Sequence, residues 1–333
     1  MAIVQVGNLK ALPSFTKRTK RIKPVRLKEG DLIGLITPGS YISDEALQKT
    51  VQNIEGMGFR TRLSANIRAE RGFTAGTDRE RLTDLHTMFS DEEVAGIWCA
   101  RGGYGCSRLL PGIDYDLIKR NPKVLIGYSD ITALIQAIHG RTGLVCFHGP
   151  VGASDFNDYT KTQCLSVIVE GRSPYTIPLA EANQLPDNPA YTNFVIQLGQ
   201  ARGMLAGGNL SLLAALTGTP FDLDPEGKLL FIEEIGEKPY RIDRMLTQLR
   251  QAWPLHKATG IALGIFEDCQ PEEGDRSLSL VDTLKDRISD LSLPAAYGLS
   301  FGHIKAQCTL PVGIEAVFDA GNYSITLLES GVV

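Results

Sequence analysis

Histidine and tryptophan are scarce in this 333-residue sequence, with five of the first and two of the second. So few imidazoles narrow the choice of a general base working near neutral pH, and each can be weighed in turn. The six cysteines, Cys99, Cys106, Cys146, Cys164, Cys269 and Cys308, form no C-x-x-C pair, and no histidine stands at zinc-ligand spacing from them. That excludes a disulfide framework and a zinc-finger type of metal site, and most of these thiols are expected to be buried small apolar groups. No stretch approaches the ~18 uninterrupted apolar residues of a membrane helix. The apolar core of a secretory signal is also missing, so the expected location is the cytoplasm. No acidic residue precedes Glu29, whereas Lys10, Lys17, Arg18, Lys20, Arg21, Lys23, Arg26 and Lys28 do. Removing that basic arm leaves 26 basic against 38 acidic residues, a body of net charge about −12, which argues against general nucleic-acid binding. The arm itself is read as a solvated segment. Neither G-x-x-x-x-G-K-[ST] nor an internal repeat occurs.

What is present is a globular composition, 43% hydrophobic and 22% charged, enough for one large or two medium domains with real cores. The first half alternates strand-like and helix-like segments. "DLIGLITPGS" reads as a buried strand ending in a Pro-Gly turn, and "SDEALQKTVQNIEGMG" as a helix capped by Ser43 and stopped by glycine. "GFRTRLS", "VAGIWCARGGYG" and "KVLIGYSD" follow as strands, with "DRERLTDLHTMFSD" as a helix between the first two. Such alternation predicts a parallel sheet sandwiched by helices, with ligands beyond the carboxyl ends of the strands. From about 151 to 200 the pattern loosens into Pro- and Asn-rich sequence, and shorter strands with fewer helices come after it. The fold class is therefore α/β, an N-terminal parallel-sheet α/β sandwich domain plus a C-terminal mixed α/β, β-rich domain. The expected boundaries are a basic arm over 1–24, the first domain over 25–160, a linker over 161–195 and the second domain over 196–333.

Three places carry candidate chemistry. A strand ending in Gly127-Tyr128-Ser129-Asp130 and turning directly into a helix would lift the Ser129 hydroxyl above the sheet, beside the unpaired N–H groups of the helix start. The geometry is that of a nucleophile elbow without the G-x-S-x-G spelling, although a serine there serves equally well as a helix N-cap. A serine nucleophile needs a base. His139 lies ten residues along the same helix, about 15 Å away at 1.5 Å per residue, and cannot reach. His86 and His256 have structural surroundings. His148, ending a buried strand in "LVCFHGPVG", and His303, in the Gly-flanked turn of "LSFGHIKAQC", remain open. Glu233 and Glu234 end the apolar strand "LLFIEEIGE", and only one of two adjacent strand residues can face a site. The "ARGGYG" turn at 100–105 lets backbone N–H groups approach a ligand, as an oxyanion hole or an anion nest does. Cys99 and Cys106 flank that turn and offer a cysteine nucleophile without a nearby base.

Taken together, "ITPGS", "ARGGYGCSRLLPGIDYDLI", "IGYSDITALI", "FHGP", "GMLAGGNLSLLAALTGTP", "LLFIEEIGEKPYRIDRML" and "FGHIKAQCTLPVG", in this order from about Lys23 to the C-terminus, resemble the serine LD-carboxypeptidase family, which includes the microcin C immunity peptidases. The resemblance implies a Ser-Glu-His triad between an N-terminal and a C-terminal domain, carried here by Ser129, Glu233 and His303. It implies an oxyanion hole of the Gly103 and Asp130 amides and no metal or organic cofactor. Arg101 is the candidate partner for a substrate carboxylate, with Gly102 and His148 also on the substrate side. The substrate implied is a cell-wall recycling peptide cut before its terminal D-alanine, and a homodimer is expected. Two rivals stand beside this reading. One is a peptidase of the same family acting on aminoacyl- or peptidyl-nucleotide toxins, which an aromatic loop able to stack on a nucleobase would favour; Trp98 and Trp253 are the only tryptophans, and neither lies in an obvious exposed loop. The other is a non-catalytic anion-binding protein in which Ser129 only caps a helix.

Overall fold

A computed structural model describes residues 20–185 and 188–333, so Lys10, Lys17 and Arg18 of the basic arm lie outside the described residues. Five parallel strands come first: β1 (Leu32–Ile36), β2 (Arg60–Leu63), β3 (Val94–Cys99), β4 (Val124–Gly127) and β5 (Phe147–His148). Apolar runs buried on both faces are what a parallel sheet covered by helices demands, and β1 and β4 are buried at every residue. The connecting helices are α1 (Asp44–Glu55), α2 (Asp78–Ser90), α3 (Tyr115–Arg120) and α4 (Ile131–Thr142). Ser43 caps α1 by accepting from the Ala46 N–H, and α2 opens with a reciprocal Thr77–Glu80 capping box.

The second sheet is larger and mixed. Its strands are β6 (Tyr175–Ile177), β7 (Phe194–Gln197), β8 (Gln200–Asn209), β9 (Lys228–Ile235), β10 (Gly260–Glu267), β11 (Ala295–Gly302), β13 (Glu315–Asp319) and β14 (Ser324–Leu327). Their spatial order is β6-β14-β13-β8-β9-β10-β11-β7, with β8 to β11 parallel and the flanks antiparallel. One short strand, β12 (Leu310–Pro311), leaves this half and pairs antiparallel with β5 at the edge of the first sheet. Helices α6 (Leu210–Leu216), α7 (Pro239–Ala252) and α8 (Leu280–Ile288) cover the outer face of the second sheet around Leu230, Leu263 and Tyr297.

The stretch 161–195, whose composition suggests a connection, contains most of α5 (Asp158–Ile168), the whole of β6 and the start of β7. Its strands are only three and four residues long, too short for a periodicity to show between the prolines. At the start of the described chain, Ile22 bridges to Leu144, Arg21 and Lys23 pair with Glu329, and the Arg26 and Val333 backbones bond across the termini.

What positions the site is α4. From Ile131 to Ile138 every residue is buried, because the helix lies between the two sheets and has no solvent face. Its Gln136 amide donates to the Gly207 carbonyl at 2.6 Å and its Thr132 hydroxyl accepts from Asn209 N–H at 3.1 Å, both on β8. The helix start is thereby held against the second half of the chain.

Candidate active site

Ser129 sits between β4 and α4 at φ 64°, one of four non-glycine residues with positive φ among those described. A serine in the left-handed region costs of order 1–3 kcal/mol and persists only where its surroundings enforce it. The helix N-cap is Asp130, not Ser129, so the capping reading of Ser129 gives way to the elbow. The Asp130 carboxylate does not cap either: Oδ2 accepts from the Cys106 N–H at 2.9 Å, stapling the end of the Gly-rich turn to the helix start.

His303 arrives from the other half. β11 ends at Gly302, φ 120°, where an added Cβ would press within 2.7 Å of the Ile265 carbonyl and 3.4 Å of Glu233 Oε2. Only glycine lets the chain turn that closely past the carboxylate, and the next residue is His303. Its Nε2 lies 2.9 Å from Ser129 Oγ and its Nδ1 2.8 Å from Glu233 Oε2, across sequence separations of 174 and 70 residues. Glu233 is wholly buried, and Ser129 and His303 are half-buried. Burial alone would raise the Glu233 carboxyl, but the His303 ring against it outweighs that and holds it below its usual range. Burial alone would lower His303, and the Glu233 charge and hydrogen bond overcome it, so the imidazole titrates above its ordinary value. Each partner thus favours the other's charged form.

Glu234, on the opposite face of β9, does something else. Its oxygens accept from the Asn209 amide at 2.9 Å, from Ser211 N–H at 2.8 Å and Oγ at 2.7 Å, and from Ile235 N–H at 2.9 Å. It closes the N-terminus of α6 and does not touch His303. Of the two adjacent glutamates, it is Glu233 whose carboxylate faces the imidazole.

The Gly-rich turn packs against the serine. A Cβ on Gly102 would come within 3.1 Å of Ser129 Cβ and 3.4 Å of Oγ, so only glycine fits under the hydroxyl. The Gly102 carbonyl accepts from Ser40 N–H at 3.0 Å, and Ser40 Oγ in turn accepts from Tyr104 N–H at 3.0 Å. Between these anchors, the Gly103 and Asp130 N–H groups donate to no protein acceptor among the described residues. Sequence reasoning missed the side chain that holds this arrangement from below. Arg81 on α2 is 2% exposed and bonds the Pro38 carbonyl at 2.5 Å and the Gly105 carbonyl at 3.0 Å, joining the "ITPGS" and "ARGGYG" turns. The signal was an arginine at a core-facing helix position.

Arg101 is exposed at the rim, donating to the Tyr41 carbonyl at 2.7 Å and lying over the Tyr41 ring, with no carboxylate partner among the described residues. His148, expected on the substrate side, is instead 1% exposed, wedged between the Tyr128 and Phe231 rings behind the triad. The second sheet, through Phe231, covers the end of its strand. His139 is half-buried and bonded to the Leu144 carbonyl, His86 accepts from the Asp114 N–H and His256 is exposed, so none of the three joins the site. Cys99 and Cys106 are fully buried and burial pushes both thiols far up, the opposite of what a thiolate nucleophile requires. Trp98 and Trp253 are buried as well.

Two family models match the chain, the LD-carboxypeptidase N-terminal domain over residues 33–149 and the LD-carboxypeptidase C-terminal domain over residues 202–318. A probable murein peptide carboxypeptidase of Bacillus subtilis (strain 168) is 40% identical over 315 residues, spanning 93% of this chain and 95% of that protein. The crystal structure of a muramoyltetrapeptide carboxypeptidase from Oxalobacter formigenes is similar with a TM-score of 0.75 at 32% identity, covering 89% of this chain and 97% of that one. The microcin C7 self-immunity protein in its apo state shares the fold, with a TM-score of 0.84 at 24% identity over 94% of this chain and 100% of its own.

Proposed function

This chain belongs to the LD-carboxypeptidase family, and on that premise we propose that it is a serine carboxypeptidase hydrolysing the LD-amide bond before a terminal D-alanine in muropeptides. The observation that carries the mechanism is the continuous hydrogen-bonded line Ser129–His303–Glu233. His303, oriented by Glu233, takes the proton of Ser129 Oγ as that oxygen attacks the amide carbonyl. The Gly103 and Asp130 N–H groups face the developing oxyanion, each contributing about 3 kcal/mol to the transition state. The imidazolium then returns its proton to the leaving amine of D-alanine, and water, activated by the same ring, hydrolyses the serine ester. Each step uses only protein groups and water.

An exopeptidase must hold the terminal carboxylate, and Arg101, exposed beside the turn with its charge uncompensated, is the group we assign to it. Arg101→Ala then raises KM far more than it lowers kcat, and an unchanged KM removes Arg101 from the binding site. We assign the nucleophile to the N-terminal domain and its base and acid to the C-terminal domain. Six free, buried cysteines support a reducing compartment, the cytoplasm, and a homodimer is the proposed assembly, to be read by sedimentation. Both tryptophans are buried, as their sequence surroundings suggest, so neither supports the nucleotide-peptide reading. The exposed aromatic pair at the rim, Phe73 and Tyr104, with ring centroids 5.3 Å apart, is the feature that favours it. A tetrapeptide muropeptide, its L-alanine-ended analogue and a peptidyl adenylate analogue separate the readings. We expect release of D-alanine alone from the first and no turnover of the second; preferential turnover of the third would reverse the assignment.

A further inference from the structure

Behind the triad, two wholly buried groups carry polar atoms without partners. Among the described residues, neither Nδ1 nor Nε2 of His148 meets a hydrogen-bond partner, and Glu233, which gives Oε2 to His303, leaves Oε1 with none. An unpaired buried polar atom costs about 1–3 kcal/mol, and more on a charged group. These three atoms are neighbours. The His148 ring packs edge-on against Phe231 with centroids 5.2 Å apart, and Phe231 and Glu233 stand two residues apart on the same face of β9. Its other side meets Tyr128 at 6.1 Å, and the Tyr128 ring in turn covers His303 at 4.7 Å. The ring and the carboxylate feel each other directly, the Glu233 charge favouring a proton on His148 and His148 favouring ionisation of Glu233. The Asn209 amide donates to Glu234 at 2.9 Å and also lies close enough to favour ionisation of Glu233, without closing a hydrogen bond on Oε1. Burial, the larger influence on His148, brings it down to about 4, so at neutral pH the ring is uncharged with one N–H to give.

We propose that His148 is a positioning residue for the triad, directing one ring N–H through a single bridging water to Glu233 Oε1 and so fixing the plane of the carboxylate that orients His303. The terminal torsion of a glutamate is a broad one, and a carboxylate held by one oxygen can swing. A second anchor on Oε1 removes that freedom, which is how supporting groups make a catalytic constellation rigid. The inference rests on the reading of Ser129, His303 and Glu233 as a triad. It gives "FHGP" a place behind the chemistry, where the sequence suggested a place on the substrate.

The test measures the rate at which a fluorophosphonate labels Ser129, with kcat and KM on a D-alanine-terminated tetrapeptide, for the wild type, His148→Leu and His148→Gln, each also in the Glu233→Gln background. Loss of the anchor is expected to slow labelling and lower kcat by about tenfold or more, with KM changed by less than about twofold. His148→Gln, which keeps a donor, should recover to within about threefold of wild type, and in the Glu233→Gln background His148→Leu should matter less than about twofold, because the group it serves has gone. A His148→Leu protein as fast as wild type, or an equal loss in both backgrounds, overturns the proposal. A wild type that does not label at Ser129 at all overturns the triad reading, and this inference with it. Should the leucine variant not fold, ring-nitrogen NMR of the otherwise intact chain decides: Glu233→Gln must move the His148 resonances, and unmoved resonances refute the link.

Discussion

Ser129 and His303 show how much a single residue's surroundings dictate. The serine is held in a strained left-handed turn with Gly102 beneath it, and the imidazole is drawn above its ordinary value of 6.5 by Glu233. Only the neutral ring can accept the serine proton, so kcat/KM should rise with pH through a limb that lies above 6.5. Stability runs the other way. The raised His303 contributes stability that is full below 6.5 and fades as pH rises through its folded value, while the lowered Glu233 contributes stability present above 4.5 and lost as pH falls through its own. The pair therefore steadies the fold most between those two values, where the base is still protonated and turnover is poor. Replacing Glu233 by Gln should move the activity limb down toward the ordinary histidine value and cost ~10²-fold or more in kcat/KM. A pH–rate profile of both proteins checks this, and a limb that stays put would detach Glu233 from His303.

At the scale of elements, the strand β9 places two glutamates back to back with different tasks. Glu234 closes the start of α6 with three of its four accepted hydrogen bonds, whereas Glu233 faces the imidazole. Glu234→Ala should lower stability by about 2–3 kcal/mol, since buried donors lose a charged acceptor. Glu233→Gln should cost stability chiefly between pH 4.5 and 6.5, where the pair with His303 contributes most, and lower activity ~10²-fold or more; chemical denaturation of the two variants makes the comparison. Much of this element layer was readable beforehand. The Ser43 cap, the run into Gly127-Tyr128-Ser129 and the Gly-flanked His303 are local signals, and local signals survive in a sequence. The orientation of His148 was not readable, because whether the end of a buried strand faces a groove or a second sheet depends on what packs over it. The same holds for Arg81, whose task is defined by two turns that meet it only in the fold, and for β6, too short to announce itself between prolines.

For the molecule as a whole, the two sheets are not independent bodies. One continuous core draws on Leu35, Ile126 and Phe147 from the first sheet and on Leu205, Phe231 and Phe301 from the second, with Ile131 to Ile138 of α4 between them. β12 completes an edge of the first sheet from the far end of the chain, and the Arg26 and Val333 backbones close the termini. Holding the 2.9 Å and 2.8 Å contacts of His303 across 174 and 70 residues, to groups from both halves of the chain, needs that rigidity. Calorimetry should accordingly show one cooperative transition whose calorimetric and van't Hoff enthalpies agree, with Ser129→Ala melting like the wild type. Two resolved transitions would mean that the halves fold separately and that the site is only loosely assembled.

The most direct measurement is to mix the chain with a D-alanine-terminated tetrapeptide muropeptide, quench within a single turnover and map the modified peptide by mass. The shortened peptide should be found as an ester on Ser129, with free D-alanine already released, and Ser129→Ala should yield neither. Turnover without any Ser129-linked species, or a Ser129→Ala protein that still releases D-alanine, would contradict the account.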